Sequence, residues 1–291
     1  MTAIHALLHG LIDYAGLFPP SAHDMMTAVR NYSSYQMSEH AYALGRFVLP
    51  AQRLEEFIAA FNEACCYEQG KPWLLSVIVG PDVDADLNLM AKVGEGAVFI
   101  DAVEIKAVDD DYVNKLAGAL PSGMDVYLEF APEQSSHILP IAKKLGYRAK
   151  IRTGGVTADA ISAVESVASF ISSCAKEAVP FKATAGLHHP LRSYHRLTYE
   201  PDSASATMHG FVNLFVAAMV AFSGHDHADV IHALREQDAG AFQWTQNELV
   251  WREHRFSSEQ IKNIRRQFAI SFGSCSFTEP IEDLMTLGWL A

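Results

Sequence analysis

Short apolar runs alternate with amphipathic helical stretches from residue 11 to residue 190, and this alternation constrains the fold more than anything else in the chain. Strands are expected at Leu11–Leu17, Arg46–Pro50, Trp73–Val79, Val98–Lys106 and Asp125–Phe130, within AKIRTGG at Ala149–Gly155, and at Pro180–Thr184. Helical periods fill the intervals, ending near Gln36, Tyr67, Val93, Leu145 and Ser172, with Ser21, Asp82 and Thr157 placed to open or cap three of them. Repeated strand–helix units imply parallel strands. Seven of them without a convincing hairpin favour a closed (β/α)8 barrel over an open doubly wound sheet. AISFGSCSF, from Ala269, supplies an eighth strand and turn, and Pro280–Leu287 a closing helix. The expected architecture is one α/β TIM-barrel domain over residues 1–291. Between strands seven and eight it carries an elaborated, mostly helical excursion at 191–267. That excursion holds an apolar helix within Ala204–Phe222, a short helix near Asp226–Glu236, a strand-like stretch at Phe242–Trp251 and a helix at Ser257–Gln267.

Composition excludes several partners. A chain that is 49% hydrophobic and 19% charged is globular rather than disordered. Its net charge of −12 leaves no basic surplus for neutralising phosphates, so no nucleic-acid partner is expected. Cys65, Cys66, Cys174 and Cys275 show no metal or disulfide-scaffold spacing, which points to a reduced, cytoplasmic compartment. No basic leader or small-residue cleavage site marks the N-terminus. Ala204–Phe222 is nearly long enough to span a bilayer, but it carries His209, Gly210 and Asn213 and lacks basic flanks. It reads as a buried helix, so no membrane partner is expected. It is too apolar to stand in solvent, hence the expectation that 191–267 forms a cap or a contact between copies of the chain in a homo-oligomer.

Strand parity brings chemistry into the barrel. Lys182 shares a strand face with Thr184, and Lys150 shares one with Arg152. An unpaired ammonium inside a strand is costly, so the two lysines either pair with core carboxylates or converge on a site. In a barrel the C-terminal strand ends form the active face. This collects Asp13, Asp101 or Glu104, Glu129, Lys150, Arg152, Lys182, Thr184 and His188. If Asp101 points inward, Glu104 points outward, unless the strand has already ended. A second ammonium about 6 Å away, at an effective dielectric of about 20, repels the first by roughly 3 kcal/mol. That lowers a lysine pKa by about two units, and desolvation lowers it further. Such a lysine can attack a carbonyl and form a Schiff base, with carboxylates of strands four and five shuttling protons and no cofactor required.

Several stretches, in this order along the chain, resemble one family. They are LIDYAGLFPP, FVLPAQRLEEF, LLSVIVGPD, FIDAVEIK, VYLEF, Lys150-Ile-Arg-Thr-Gly154, Lys182-Ala-Thr-Ala-Gly186 and FGSCS at Phe272–Ser276. Over most of its length the chain resembles the class I aldolases of the deoxyribose-phosphate aldolase type. The resemblance implies that Lys150 is the Schiff-base lysine, that Lys182 tunes it, and that Asp13 is the strand-one aspartate. It also implies that Asp101, or Glu104 in its place, and Glu129 move protons. Gly273, Ser274 and Ser276 would belong to a turn that receives an anion on backbone donors. Three departures from the family's pattern imply a substrate other than deoxyribose phosphate: Arg152 at a small-residue position, His188-His189-Pro190 after the seventh strand, and the long excursion. YAGLFPP, KIRTGG and FKATAGLHHP also resemble stretches of bacterial proteins with no assigned activity, so the chemistry is implied more than the substrate.

The expected function is therefore a Schiff-base-forming lyase acting on a small anionic carbonyl compound, held by Asp13, Arg152, Thr184, His188 and the Gly273–Ser276 turn. Two alternatives stand beside it. One is a metal-dependent barrel enzyme using the His188/His189 region, although no HxH or HxxxH spacing sits at a strand end and no metal ligand set is proposed. The other is a non-catalytic small-molecule-binding barrel whose lysines pair with Glu104 and Glu129. Cys275, with no partner histidine identifiable, reads as a small turn residue.

Overall fold

Strands buried on both faces close on themselves when helices cover the outside. The computed structural model describes residues 2–64, 72–93, 96–107, 112–113, 118–120 and 123–290. Its barrel strands are β1 (Ile12–Tyr14), β2 (Leu44–Pro50), β3 (Trp73–Val79), β4 (Val98–Lys106), β5 (Asp125–Glu129), β6 (Arg148–Arg152) and β7 (Phe181–Thr184), each parallel to the next. Cys65, Cys66 and the expected helix end at Tyr67 lie outside the described residues.

Helices α1 (Ala3–Leu8), α2 (Met25–Gln36), α3 (Leu54–Glu63), α4 (Val83–Met90), α5 (Ser135–Leu145) and α6 (Val164–Glu177) accompany these strands. Their apolar faces meet the outward residues of the sheet. Trp73, for example, is ringed by Tyr32, Phe47, Phe57 and Phe61 at centroid distances of 4.4 to 5.8 Å. Asp24, not Ser21, caps α2 by accepting from Thr27 N at 2.9 Å. Ser21 instead donates to the Cys275 carbonyl across the barrel mouth, at 3.1 Å.

The stretch 191–267 differs from the mostly helical reading. It contains a hairpin of β8 (Ser193–Arg196) and β9 (Ser205–Met208), then α7 (Phe211–Phe222) and α8 (His227–Arg235). A three-stranded antiparallel sheet follows, β10 (Phe242–Trp244), β11 (Glu248–Trp251) and β12 (His254–Ser257), and then α9 (Ser258–Gln267). The physical reason is a two-residue alternation from Phe242 to Ser257 that buries Phe242, Leu249, Trp251, His254 and Phe256, too short in each run to announce a sheet without its partners. The last barrel strand, β13 (Ala269–Ser274), pairs with both β7 and β1 and closes an eight-stranded parallel barrel. α10 (Thr278–Thr286) ends the fold.

These pieces do different jobs. α7 is buried on every side from Phe211 to Val220 and stacks Phe211 on Phe272 of β13, at 5.0 Å between centroids. Its one internal amide, Asn213, accepts from Arg192 N and donates to the carbonyls of Ala233 and Glu236, so burial leaves it satisfied. The three-stranded sheet contacts α1, which leads into the start of β1, and therefore lies at the barrel floor. The β8–β9 hairpin reaches the mouth instead. No helix among the described residues is long and apolar enough to cross a membrane.

Candidate active site

A bulge in β4 resolves the parity question. Leu75 pairs with Ile100 but Ser76 pairs with Ala102, so Asp101 is an extra residue without a partner on β3. The alternation restarts after it, and both acids project into the barrel at different depths. Asp101 binds Arg46 through two bonds of 2.9 Å. Arg46 also bonds Asp125, at 2.9 Å, and Arg148 bonds Asp125 and the Tyr127 hydroxyl. This ion-pair layer lies at the N-terminal half of the barrel. The structure thus places Asp101 beneath the lysines and away from them, and brings Glu104 to them.

Glu104 stands between the two lysines. Lys150 Nζ donates to Glu104 Oε2 at 2.6 Å, and Lys182 Nζ to Oε1 at 2.6 Å. Lys150 also meets Glu129 Oε2 at 2.6 Å, its direct neighbour across β5 and β6. Lys182 also meets Asp13 Oδ2 at 2.5 Å. Ser76 donates to Glu104 Oε1 at 2.7 Å, and Ser271 to Asp13 Oδ2 at 2.7 Å. Asp13 Oδ1 accepts from Arg46 N at 2.9 Å and lies where a side chain on Gly45 would clash. The two ammonium groups are thus separated by no more than one carboxylate and two hydrogen bonds.

That geometry alters the electrostatics expected for adjacent lysines. Burial alone would lower the Lys182 pKa, but the contacts with Asp13 and Glu104 outweigh it and raise the value above that of a free lysine. Burial would raise Glu104, yet the two ammonium groups hold it well below the ordinary carboxylate range. Lys182 is consequently a fixed cation. Lys150 sits at the other end of the chain of contacts, where its second partner, Glu129, is one-fifth exposed.

Above the lysines opens a cavity of about 210 Å³. Its wall combines Phe18, Pro19, Pro20, Val48 and Ile78 with Glu104, Lys150, Arg152, Lys182, Thr184 and His188. Thr184 and Gly273 are adjacent there, because a Cβ on Gly273 would fall 2.8 Å from Thr184 Oγ1. The Arg152 guanidinium makes no ion pair or hydrogen bond among the described residues, while Glu129 and Glu104 are taken by Lys150. Asp13 and Glu129 act through the lysines and do not line the cavity.

The Gly273–Ser276 turn is only partly present at the cavity. Gly273 and Cys275 line it, whereas Ser274 Oγ accepts from Ser276 N at 3.3 Å and Ser276 Oγ accepts from Glu279 N at 3.1 Å. Ser274 and Ser276 therefore serve the turn itself, and the structure does not bring them to the lysines.

The Thr-Gly and Ala-Gly pairs after the lysines have a backbone role. Thr153 Oγ1 donates to Ala185 O at 2.7 Å, and Gly154 and Gly186 approach so closely that a Cβ on either would lie 3.0 Å from the other's Cα. Gly186 also holds φ at +72°, which glycine adopts without strain. Together they lock the ends of β6 and β7 and hold the two lysines abreast.

Sequence reasoning missed several contributors. Ser76 and Ser271 carry no motif, and Arg46, Arg148 and Tyr127 gain meaning only once the strands curl. Cys275 has a histidine partner after all: His188 Nδ1 lies 3.9 Å from its Sγ and 3.2 Å from Glu279 Oε2. Burial would lower the His188 pKa, but Cys275 and Glu279 outweigh it and carry the value up to about 10. His189 bonds Asp283 at 2.6 Å and stacks on His195 at 3.4 Å, and its Nε2 lies 4.0 Å from Glu279 Oε1, so the neighbouring histidines flank the same Glu279 carboxylate. Among the described residues no group of three or more His, Cys, Asp and Glu side chains is arranged to hold a metal.

Fold and site together define a class: a parallel (β/α)8-type barrel with a buried two-lysine, three-carboxylate cluster under its mouth. The chain matches no family model, no curated protein and no solved structure.

Proposed function

We propose that the protein is a Schiff-base-forming lyase of the aldolase kind, acting on a small anionic carbonyl compound through Lys150. The observation that carries this reading is a difference between the partners of two lysines that both line the cavity: Lys182 is held between Asp13 and Glu104, both buried, while the second partner of Lys150, Glu129, is one-fifth exposed. Glu129 accepts the Lys150 proton, freeing the amine to attack the carbonyl carbon, and later returns a proton to the leaving hydroxyl by way of a water in the cavity, which Glu129 itself does not line. The protonated imine then carries the same charge as the ammonium it replaces, so Glu104 keeps its partner throughout. Arg152, unpaired at the rim, supplies a planar fork for a carboxylate or phosphate.

Borohydride trapping tests this. Incubation with glyoxylate or pyruvate followed by reduction should leave a secondary amine on Lys150, located by peptide mass spectrometry, and Lys150→Arg should abolish it. Absence of any lysine adduct across a panel of carbonyl compounds would sink the imine. Equal trapping of acetone or acetaldehyde would sink the anionic requirement alone. Arg152→Lys should weaken capture of the anionic compounds about tenfold or more, the loss of one charge-assisted bond.

A further inference from the structure

We propose that Cys275 is a second nucleophile of the barrel mouth, capturing small aldehydes as thiohemiacetals in the cavity it shares with Lys150. This does not rest on the imine reading. The residue lines that cavity on one side and a shallower opening beside α10 on the other, so its sulfur is reachable although the residue is buried. Around the sulfur the side chains are arranged as a closed set. His188 Nδ1 and the Tyr199 hydroxyl each lie 3.9 Å from Sγ, and Glu279 Oε2 lies 3.2 Å from both of them. Glu279 thereby aims an imidazole and a phenol at one sulfur atom. The acid and the sulfur share the same imidazole nitrogen, which distinguishes the set from a relay triad, where the two would sit on opposite nitrogens. His188 serves here as a charge partner and proton donor.

The electrostatics of the set agree with the geometry. Burial would raise the Cys275 thiol pKa, but the contact with His188 outweighs it and lowers the value. Tyr14 and Tyr199 also face the sulfur, both kept neutral by burial. Across the outer opening stand His23, Tyr35 and Glu282. Cys174 provides a contrast within the same chain, because it is fully enclosed in α6 and burial pushes its thiol up.

The step needs no outside oxidant. The thiolate sulfur attacks the aldehyde carbon and a C–S bond forms. The carbonyl π pair moves to oxygen, which takes the proton of the His188 imidazolium. A neutral thiohemiacetal and a neutral imidazole result, and the reverse step releases the aldehyde.

Alkylation by iodoacetamide, followed at Cys275 by peptide mass spectrometry, tests the proposal on the whole chain. In the unmodified protein the Cys275 rate should fall distinctly less from about pH 8 to about pH 6 than that of a free thiol. In His188→Gln it should fall roughly 75-fold from about pH 8 to about pH 6, as for a thiol of pKa about 8.5. An ordinary thiol profile in the unmodified protein, or identical profiles in both, overturns the proposal. Should His188→Gln not fold, the unmodified profile decides alone. Propanal should slow alkylation of Cys275 in the unmodified protein and also in Lys150→Arg, which forms no imine with it yet keeps a cation beside Glu104 and Glu129. Protection lost in Lys150→Arg would trace the effect to the lysine and overturn capture at sulfur. Protection retained there would support capture at sulfur, and if no carbonyl compound, anionic or neutral, left a borohydride adduct on Lys150 in the unmodified protein, the imine would be removed instead.

Discussion

Glu104 is bound by two ammonium groups and a serine hydroxyl within the space of one carboxylate, and breaking such a set is costlier than making it is favourable. Lys182→Met should destabilise the protein by about 3–5 kcal/mol, because Asp13 would remain buried with only the Ser271 hydroxyl and the Arg46 amide as donors, and Glu104 would lose one of its two ammonium partners. Urea unfolding reads that loss, and adding Asp13→Asn to Lys182→Met should recover part of it. Recovery that fails to appear would mean that the cost lies in packing rather than in the stranded charge. At this scale Lys150, Lys182, Glu104, Glu129 and Arg152 were legible, since alternation along a strand and a charge inside it are both local facts. Alternation left a choice between Asp101 and Glu104 and could not show that both point inward at different depths, because a bulge is a property of two strands rather than one. The partnership of Cys275 with His188 spans 87 residues and left no local trace.

Between elements, the mouth is held by backbones that touch. Gly273→Ala would put a methyl 2.8 Å from Thr184 Oγ1, wedging β13 from β7 beside the cavity. The expected loss is about 1–3 kcal/mol. Thr184→Ala alone should cost less, and the double variant should be more stable than Gly273→Ala, a coupling visible in thermal or urea melts. Additive effects would show that the clash is not what matters there. The barrel strands could be read from their apolar runs, as could the helices α7, α8 and α9. Of the five short strands of the excursion, β10 and β11 fall within the strand-like stretch expected at Phe242–Trp251, whereas β8, β9 and β12 could not be read. A run of three or four alternating residues acquires meaning only when a partner lies beside it, and the stretch expected to be mostly helical holds helices, a floor sheet and one hairpin at the mouth.

For the molecule as a whole, these groups predict how stability changes with pH. The Glu104 pKa is depressed in the fold, so its contribution is present above the unfolded value of about 4.3 and is lost as pH falls below it. On the alkaline side, His188 is raised to about 10, and its contribution begins to fade above the unfolded value of about 6.5. The lowered Cys275 acts in the opposite sense up to the unfolded thiol value of about 8.5, so the two largely cancel there. Net loss should fall between about pH 8.5 and about pH 10, and Cys275→Ser should move its onset downward. Urea midpoints across that range give the measurement. A profile with the same onset in both proteins would show that the pair is not coupled in folding.

The extra residue in β4 has one more consequence. It works as a phase shift partway along a strand: side chains on the floor side of Asp101 keep one rhythm, and those on the mouth side keep another. The floor charges, tied to Arg46 and Arg148, and the mouth charges, tied to the lysines, are therefore two levels stacked in one tube and joined by Asp13, which meets both Arg46 N and Lys182, and by Tyr127, which meets both Arg148 and Lys182. Deleting a single residue at 101 would bring the halves back into step and break the Arg46 contact, while leaving Glu104 in register with Ile78. A substitution on one level is accordingly felt on the other through Asp13 and Tyr127, so that the chemistry of the mouth can drift only as far as the lower plug, which holds the staves together, allows.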